Sequence, residues 1–461
     1  MLSSNIMPQH TAPTAARAAE AAFDWPEAIR LYEEALSSLP REGDAWPAAE
    51  ADLLIALGRG YWRNAEARPA WRTLMRAITS CKQRGDAAAQ GRATVEIMRI
   101  WGPWERHKML GEDALAALGD SEPYLRARLL SQLDRGDEAF AIAEANGYED
   151  VLAWRIARAS WRAIDAGKLD EAQALSRQAF EAHDRLGGFE AASGSLRNIG
   201  FSLMVSGDLG AGEALARQSF EYAGRFNLRF YEQLARMDVV GAAFARCDWG
   251  ECKRLLAPTA GELDFRLDLF RMWIAELRGD AASSRALIVD PQRAGGGPDA
   301  LAQIHSGNAG VLYRMGEHGA ARAELAGMLQ NCRPESEDEH YLPAAVDAII
   351  ALEGEDVIAE CDRQIDPKRR TRGGAYVYST LQGRALHYTR GALALRLRRD
   401  DEAATHFESG IAWAERERCP LDAAACHEGL AQISTRRGDT EDADRHSQQA
   451  LALRKRHAPR S

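Results

Sequence analysis

The sequence predicts an all-α chain, a solenoid of about ten stacked helix-turn-helix pairs with no separate catalytic domain. Three observations carry that prediction. The first is a repeat: GKLDEAQALSRQAFEAHDRLG from Gly167 returns 40 residues later as GDLGAGEALARQSFEYAGRFN from Gly207. The two copies share Leu169/Leu209, Ala174/Ala214, Leu175/Leu215, Arg177/Arg217, Gln178/Gln218, Phe180/Phe220, Glu181/Glu221 and Arg185/Arg225. The second is punctuation. Turn-like clusters recur at Gly167, Gly207, Cys247 to Asp248, Gly279 to Asp280 and Gly316 to Glu317, at intervals of 40, 40, 32 and 37 residues. The third is composition: Ala is abundant, Gly and Pro fall mainly between periodic segments, and strand-length runs of Val, Ile or Thr are few. A lone helix pair cannot bury its apolar stripe, whereas stacked pairs bury it jointly, so every unit must offer its neighbours the same surface.

Taken in chain order, residues 1–14 form a tail expected to be disordered, and helical repeats run over 15–150. The first unit is ARAAEAAFDWPEAIRLYEEALSSLP from Ala16, where Asp24 suits an N-cap, Pro26 fits the first turn and Pro40 ends the helix. Helices are then expected from about Ala48 to Leu57, Arg68 to Gln83, Ala87 to Ile100 and Glu105 to Leu118, with tryptophans at 46, 62, 71, 101 and 104. Pro103 breaks the helical pattern within WGPWE, whose aromatics read as packing groups. The central repeats span 151–330, and VDPQRAGGGPDA from Val289 reads as a turn between two of them. Residues 331–374 form an irregular insertion with an acidic loop, NCRPESEDEHYLP, and a basic one, IDPKRRTRGG. The rhythm resumes over 375–457, where DDEAATHFESGIAWAERER aligns with GDTEDADRHSQQALALRKR and Ala403 meets Ala443, His406 meets His446 and Ile411 meets Leu451. No extensive sheet is expected.

The chain of 461 residues carries a net charge of −10, which disfavours a general role on nucleic acid or membrane surfaces. Its N-terminal stretch has neither a positive leader nor a continuous apolar core, and no window reaches about 18 uninterrupted apolar residues, so a cytoplasmic location is expected. Seven scattered cysteines, an odd number, read as reduced core or surface thiols.

The pattern A…F.WPEAI.LYEEAL…LP at Ala22 to Pro40, with G-[DK]-L…A.AL.RQ.FE at Gly167 and Gly207, resembles tetratricopeptide (TPR) repeats. Units of 40 residues rather than about 34, with Arg and Gln on the second helix, are more similar to the helical-repeat regions of large bacterial signalling ATPases, the LuxR-type activators and cyclase-linked regulators. The resemblance implies a right-handed superhelix whose first helices line a concave groove. Neither the ATPase nor the DNA-reading part of those regulators is matched. No G-x-x-x-x-G-K-[ST] occurs, the Gly167-Lys168 pair lies in a repeat turn, and too few residues follow Glu441 for a helix-turn-helix module.

A search for chemistry returns nothing that builds a site. There is no H-E-x-x-H, no dinucleotide-binding turn and no G-x-S-x-G elbow, so no enzyme activity, cofactor or metal is expected. Cys247 and Cys252 are too far apart for a zinc knuckle; Cys419, Cys426 and His427 are the residual metal-ligand candidates. AGGGPDA from Ala294 precedes a helix but has no basic partner nearby and reads as a turn.

Side chains on the first helices are more informative. Arg155, Arg158 and Arg162 share one helix face; a shift of 40 residues puts Ser195, Asn198 and Ser202 there, and a shift of 80 puts Ala235, Asp238 and Ala242. Trp154, Trp161, Phe201, Leu234 and Phe244 are expected to be buried between helices. Arg155, Arg158, Arg162, Asn198 and Asp238 are accordingly the candidate groove for an acidic peptide or phosphorylated ligand, against the alternative of a solvated or locally paired arginine face. A second basic patch, Arg369, Arg370, Arg372, Arg384 and Arg390 interleaved with Tyr376, Tyr378 and Tyr388, suits an acidic protein partner better than single-stranded nucleic acid, since the whole chain is acidic. The function expected is a non-catalytic module that binds a protein or peptide. The alternative is a repeat domain that senses a small metabolite within a transcription or cyclase-type regulator.

Overall fold

The computed structural model describes residues 11–39, 46–100, 104–133, 135–166, 168–258, 265–291, 298–332, 342–365, 378–379 and 384–459. They form an all-α, TPR-like solenoid of helix-turn-helix pairs. The repeat is most regular in the helices Glu149–Asp165, Leu169–Arg185, Phe189–Val205, Leu209–Arg225, Arg229–Ala245 and Trp249–Leu255, whose first residues lie 20 apart. Each 40-residue period is therefore two helices and two turns.

A two-residue code makes the turns at Gly207–Asp208 and Cys247–Asp248. The residue closing one helix must adopt a left-handed conformation, and Gly does so without a Cβ penalty. Gly207 has φ +97°. Its amide donates to Met204 O and the Asp208 amide donates to Leu203 O, both at 3.0 Å, which satisfies carbonyls the ending helix leaves open. Asp208 Oδ1 then accepts from Ala211 N at 3.0 Å and caps the next helix. Asp248 and Asp280 make the same cap to Glu251 N and Ser283 N, each at 3.0 Å. Cys247 occupies the glycine position with φ +58°, a conformation a side chain disfavours. Asp24 likewise caps Trp25–Ser37 through Glu27 N at 3.2 Å, with Pro26 in the first turn.

Helix limits differ from expectation where packing overrides local signals. Trp46–Arg63 runs past Leu57 through Gly58 and Gly60. A Cβ at Gly58 would lie 2.5 Å from Leu74 Cγ, so the glycine marks close approach to the helix Ala67–Arg84 and not a stop. Ala87–Ile97 ends short of Ile100, and the next helix begins at Trp104. Trp101 and Pro103 lie outside the described residues, as do most of the acidic and basic loops. The described strand structure is one antiparallel pair, Tyr378–Ser379 with Arg384–Ala385.

The chain divides into two compact units. The first comprises Met1–Ala159, Leu175–Ser195 and Ser219–Gln233; the second comprises Ser160–Ala174, Leu196–Gln218 and Leu234–Ser461. The first unit buries Leu54, Leu74, Ile78 and Ile97 in one cluster and Leu129, Leu130 and Phe140 in another. In the second, Phe244 meets Phe270 edge-on at 5.4 Å, and Trp413 is buried in the same cluster. No described helix is long and apolar enough to cross a membrane.

Candidate functional site

The second unit contains a cleft of about 490 Å³. Its walls come from the first helices of successive pairs: Arg229–Ala245, Phe265–Leu277, Pro298–Arg314, Leu342–Leu352, Leu386–Arg396 and Pro420–Arg437, joined by Arg454 from Thr440–His457. Pro420–Arg437 lines it from Leu421 to Arg436, whereas Phe265–Leu277 and Pro298–Arg314 contribute their last turns. Phe407 forms a fully buried part of the lining, and Cβ atoms at Gly391 or Gly429 would collide with its ring. The two small residues let their helices close over the phenyl group.

Charges of both signs line this cleft. Glu276 lies 3.0 Å from Arg314 Nε. Glu428 takes a two-point contact from Arg454, Nε to Oε1 at 2.5 Å and Nη2 to Oε2 at 2.7 Å, and this hydrogen bonding raises the Arg454 pKa above its ordinary value. Tyr388 donates its hydroxyl to Asp347 at 2.8 Å. Arg436 Nη1 donates to Leu395 O at 2.9 Å and to Asp400 Oδ1 at 3.0 Å. Asp422 accepts from Ala385 N at 3.2 Å. Arg396 Nε donates to Ile350 O at 3.3 Å and is otherwise exposed.

The arginines singled out from the sequence, Arg155, Arg158 and Arg162, are not among the residues lining this cleft. In the first unit, Arg155 pairs with Glu144 at 2.5 Å and sits 5.6 Å from the centre of the Phe140 ring, while Arg158 Nη1 donates to Ser131 O at 2.7 Å. In the second unit Arg162 is exposed. Asn198 is buried, its backbone carbonyl accepting from Ser202 at 3.0 Å, and Asp238 is wholly buried in a two-point pair with Arg197 at 2.6 and 3.0 Å. The reason is that equal spacing does not carry equal exposure, since Arg229–Ala245 is buried without interruption from Leu234 to Ala245. Trp161, expected inside, is 40% exposed, with Phe201 at 6.4 Å between ring centres.

The second basic patch also changes. Arg390 is buried within Leu386–Arg396 and presents no surface cation. Arg384 pairs through its backbone with Ser379; Arg369, Arg370, Arg372 and Tyr376 lie outside the described residues. Cys419 and Cys426 are buried, and burial pushes both thiols well above the ordinary range. His427 turns its Nδ1 to His446 Nδ1 at 2.9 Å. Among the described residues no three His, Cys, Asp or Glu side chains gather as a metal site.

The charged residues of the cleft escaped the sequence reading because the spacings there are not 40. Glu276 and Arg314 are 38 apart by their numbers, on the last turns of successive first helices. Following the ends of first helices, instead of a fixed period, would have paired them.

No protein-family model matches the chain, and no curated protein matches it by sequence. Among solved structures, the chain is similar to yeast Tom70 at 13% identity, covering 97% of this chain and 95% of that one, with a TM-score of 0.30. It is similar to the Cut9–Hcn1 hetero-tetramer of the APC/C at 14% identity, with 97% and 87% covered and a TM-score of 0.39. It is also similar to a Rap protein complexed with competence and sporulation factor, at 11% identity, with 98% of each chain covered and a TM-score of 0.30.

Proposed function

We propose that the protein is a non-catalytic adaptor that holds a peptide segment of a partner protein in the cleft of its second unit. The observation supporting this reading is the lining itself: first helices of successive pairs present Arg314, Arg396 and Arg436 beside Glu276, Asp347, Asp422 and Glu428, and Arg454 joins them from Thr440–His457. A wall balanced in this way has no bulk attraction for one sign of charge. It selects a segment whose own charges alternate, with each ligand charge displacing or extending an existing pair.

The test is capture by the full chain against a Glu276→Lys, Glu428→Lys variant. A partner retained by the native protein and lost by the variant, at unchanged helix content, supports the reading; equal capture by both overturns it.

A second reading has one observation in its favour, because about 490 Å³ falls within the range of small-molecule pockets. The cleft would then sense a metabolite within a bacterial regulatory system of the kind the repeats resemble. Native mass spectrometry of the purified chain separates the two: a retained small molecule favours the sensor, and a bound peptide favours the adaptor.

A further inference from the structure

The first unit contains six charged side chains that close into a ring. Glu20 comes from Thr11–Ala21, Arg59 and Arg63 from the last turns of Trp46–Arg63, Glu96 from Ala87–Ile97 with Arg99 just beyond it, and Glu190 from the start of Phe189–Val205. Around the ring, Glu20 meets Arg59 at 2.7 Å and Arg59 meets Glu96 at 4.0 Å. Glu96 meets Arg99 at 3.4 Å and Arg99 meets Glu190 at 3.0 Å. Glu190 meets Arg63 at 2.9 Å, and Arg63 returns to Glu20 at 3.3 Å. Every carboxylate lies between two guanidinium groups and every guanidinium between two carboxylates.

Contacts flanking the ring join the same stretches of chain. Phe189 stacks on Phe226 at 4.1 Å, and Phe23 meets them edge-on at 5.6 and 5.2 Å. Asn227 Nδ2 donates to Phe23 O at 3.1 Å, and Trp62 meets Phe230 at 4.3 Å. A seam therefore joins the N-terminal pair to residues at 189–190 and 226–230, although Arg63 and Glu190 are 127 positions apart.

We propose that this ring is an ionic latch, holding the seam of the first unit closed only while its carboxylates are ionised and its charges unscreened. Two properties set it apart from an apolar core. Its six side chains retain between 14% and 27% of their exposure, so dissolved ions and foreign carboxylates can reach them. Its charges cancel within the ring, so losing one carboxylate leaves neighbouring guanidinium groups facing each other without compensation.

Acid acts in the same direction. Burial raises the Glu190 pKa, but Arg63 and Arg99, with Arg59 behind them, outweigh it and hold the carboxyl at about 2; Tyr231 faces it as a neutral phenol. Glu20 is also lowered: burial works against its charge, and Arg59, Tyr32 and Arg63 overcome it. A carboxyl lowered by folding favours the closed seam above its ordinary pKa of 4.5 and ceases to do so as pH falls toward 2.

Hydrogen exchange on the full chain tests the latch. Raising NaCl from about 0.01 M to about 1 M shortens the screening length from about 30 Å to about 3 Å. Exchange of amides in Trp25–Ser37 and at 189–195 should then rise about tenfold, while Leu129 and Leu130, held in an apolar cluster, stay protected. Glu190→Gln should show the raised exchange at low salt and no further response to salt. Salt-independent exchange at the seam in the native chain overturns the latch, as does a Glu190→Gln variant whose exchange rises equally throughout.

Discussion

The ring of the first unit and the cleft of the second are built from the same materials and end in opposite states. Both place Arg and Glu on helices whose opposite faces pack into the solenoid. In the first unit the six charges close into one ring, each meeting two of opposite sign. In the second, the charges pair two by two, as Glu276 does with Arg314 and Glu428 with Arg454, and about 490 Å³ stays open between them. Repeat architecture therefore does not decide whether a charged surface stays open or closes on itself. The partners available to each charge decide it.

The largest effect expected from breaking this contrast is at Glu190. Glu190→Ala leaves Arg63 and Arg99 facing each other in a mostly buried setting and should cost about 2–4 kcal/mol, read from denaturant unfolding, the partial exposure of the ring placing it near the lower end for broken buried pairs. A loss below about 1 kcal/mol would mean that water replaces the carboxylate freely.

Close packing sets the next effect. Gly310 lies on Pro298–Arg314, the helix that carries Arg314 into the cleft, and a Cβ there would run into the carbonyl of Ala344. Gly310→Ala should destabilise the second unit by about 1–3 kcal/mol and displace Arg314 from Glu276, measurable together as a lower melting temperature and weaker partner capture.

The turn code offers a control, because both units use it. Asp24→Ala in the first and Asp439→Ala in the second each remove a cap, to Glu27 N at 3.2 Å and to Asp442 N at 3.0 Å, and should cost about 1 kcal/mol apiece. Unequal losses would show that one cap is compensated by its surroundings.

Buried histidines add a pH dependence to both units. Burial lowers His183, aided by Arg128, and His387, aided by Arg390, His406 and Arg416, each to about 4. A histidine depressed by folding stabilises the native state above its ordinary value of 6.5, and that contribution is lost as pH falls toward 4. Stability should therefore begin to decline near pH 6, before the ring carboxylates titrate; His183→Gln and His387→Gln should each flatten that early phase.

The smallest effect on folding belongs to the cleft. Glu428 and Arg454 are about two-fifths exposed, so Glu428→Ala should change stability by no more than about 0.5 kcal/mol. Partner binding should nonetheless weaken, because the ligand loses one of the charges it pairs with. A variant that keeps both its stability and its partner would remove this side chain from the site.

The amino-acid sequence by itself determined the helix pairs, their 40-residue period and the caps and left-handed turns that separate them. Each of these depends on residues a few positions apart: Gly207 with Asp208, Asp24 with Glu27, or an apolar stripe along one helix. Tertiary structure decided what each inner face does. Asp238 stands where 40-residue steps carry the exposed face of Arg158, yet it is sealed against Arg197, because burial depends on which helices cover a position. Arg390 reads as a surface cation beside the basic loop and is enclosed for the same reason. Glu190 is an ordinary first-turn glutamate until folding brings Arg63 and Arg99 around it. Local periodicity is written in neighbouring residues, whereas a charge's partner is chosen by the path of the backbone over more than a hundred residues.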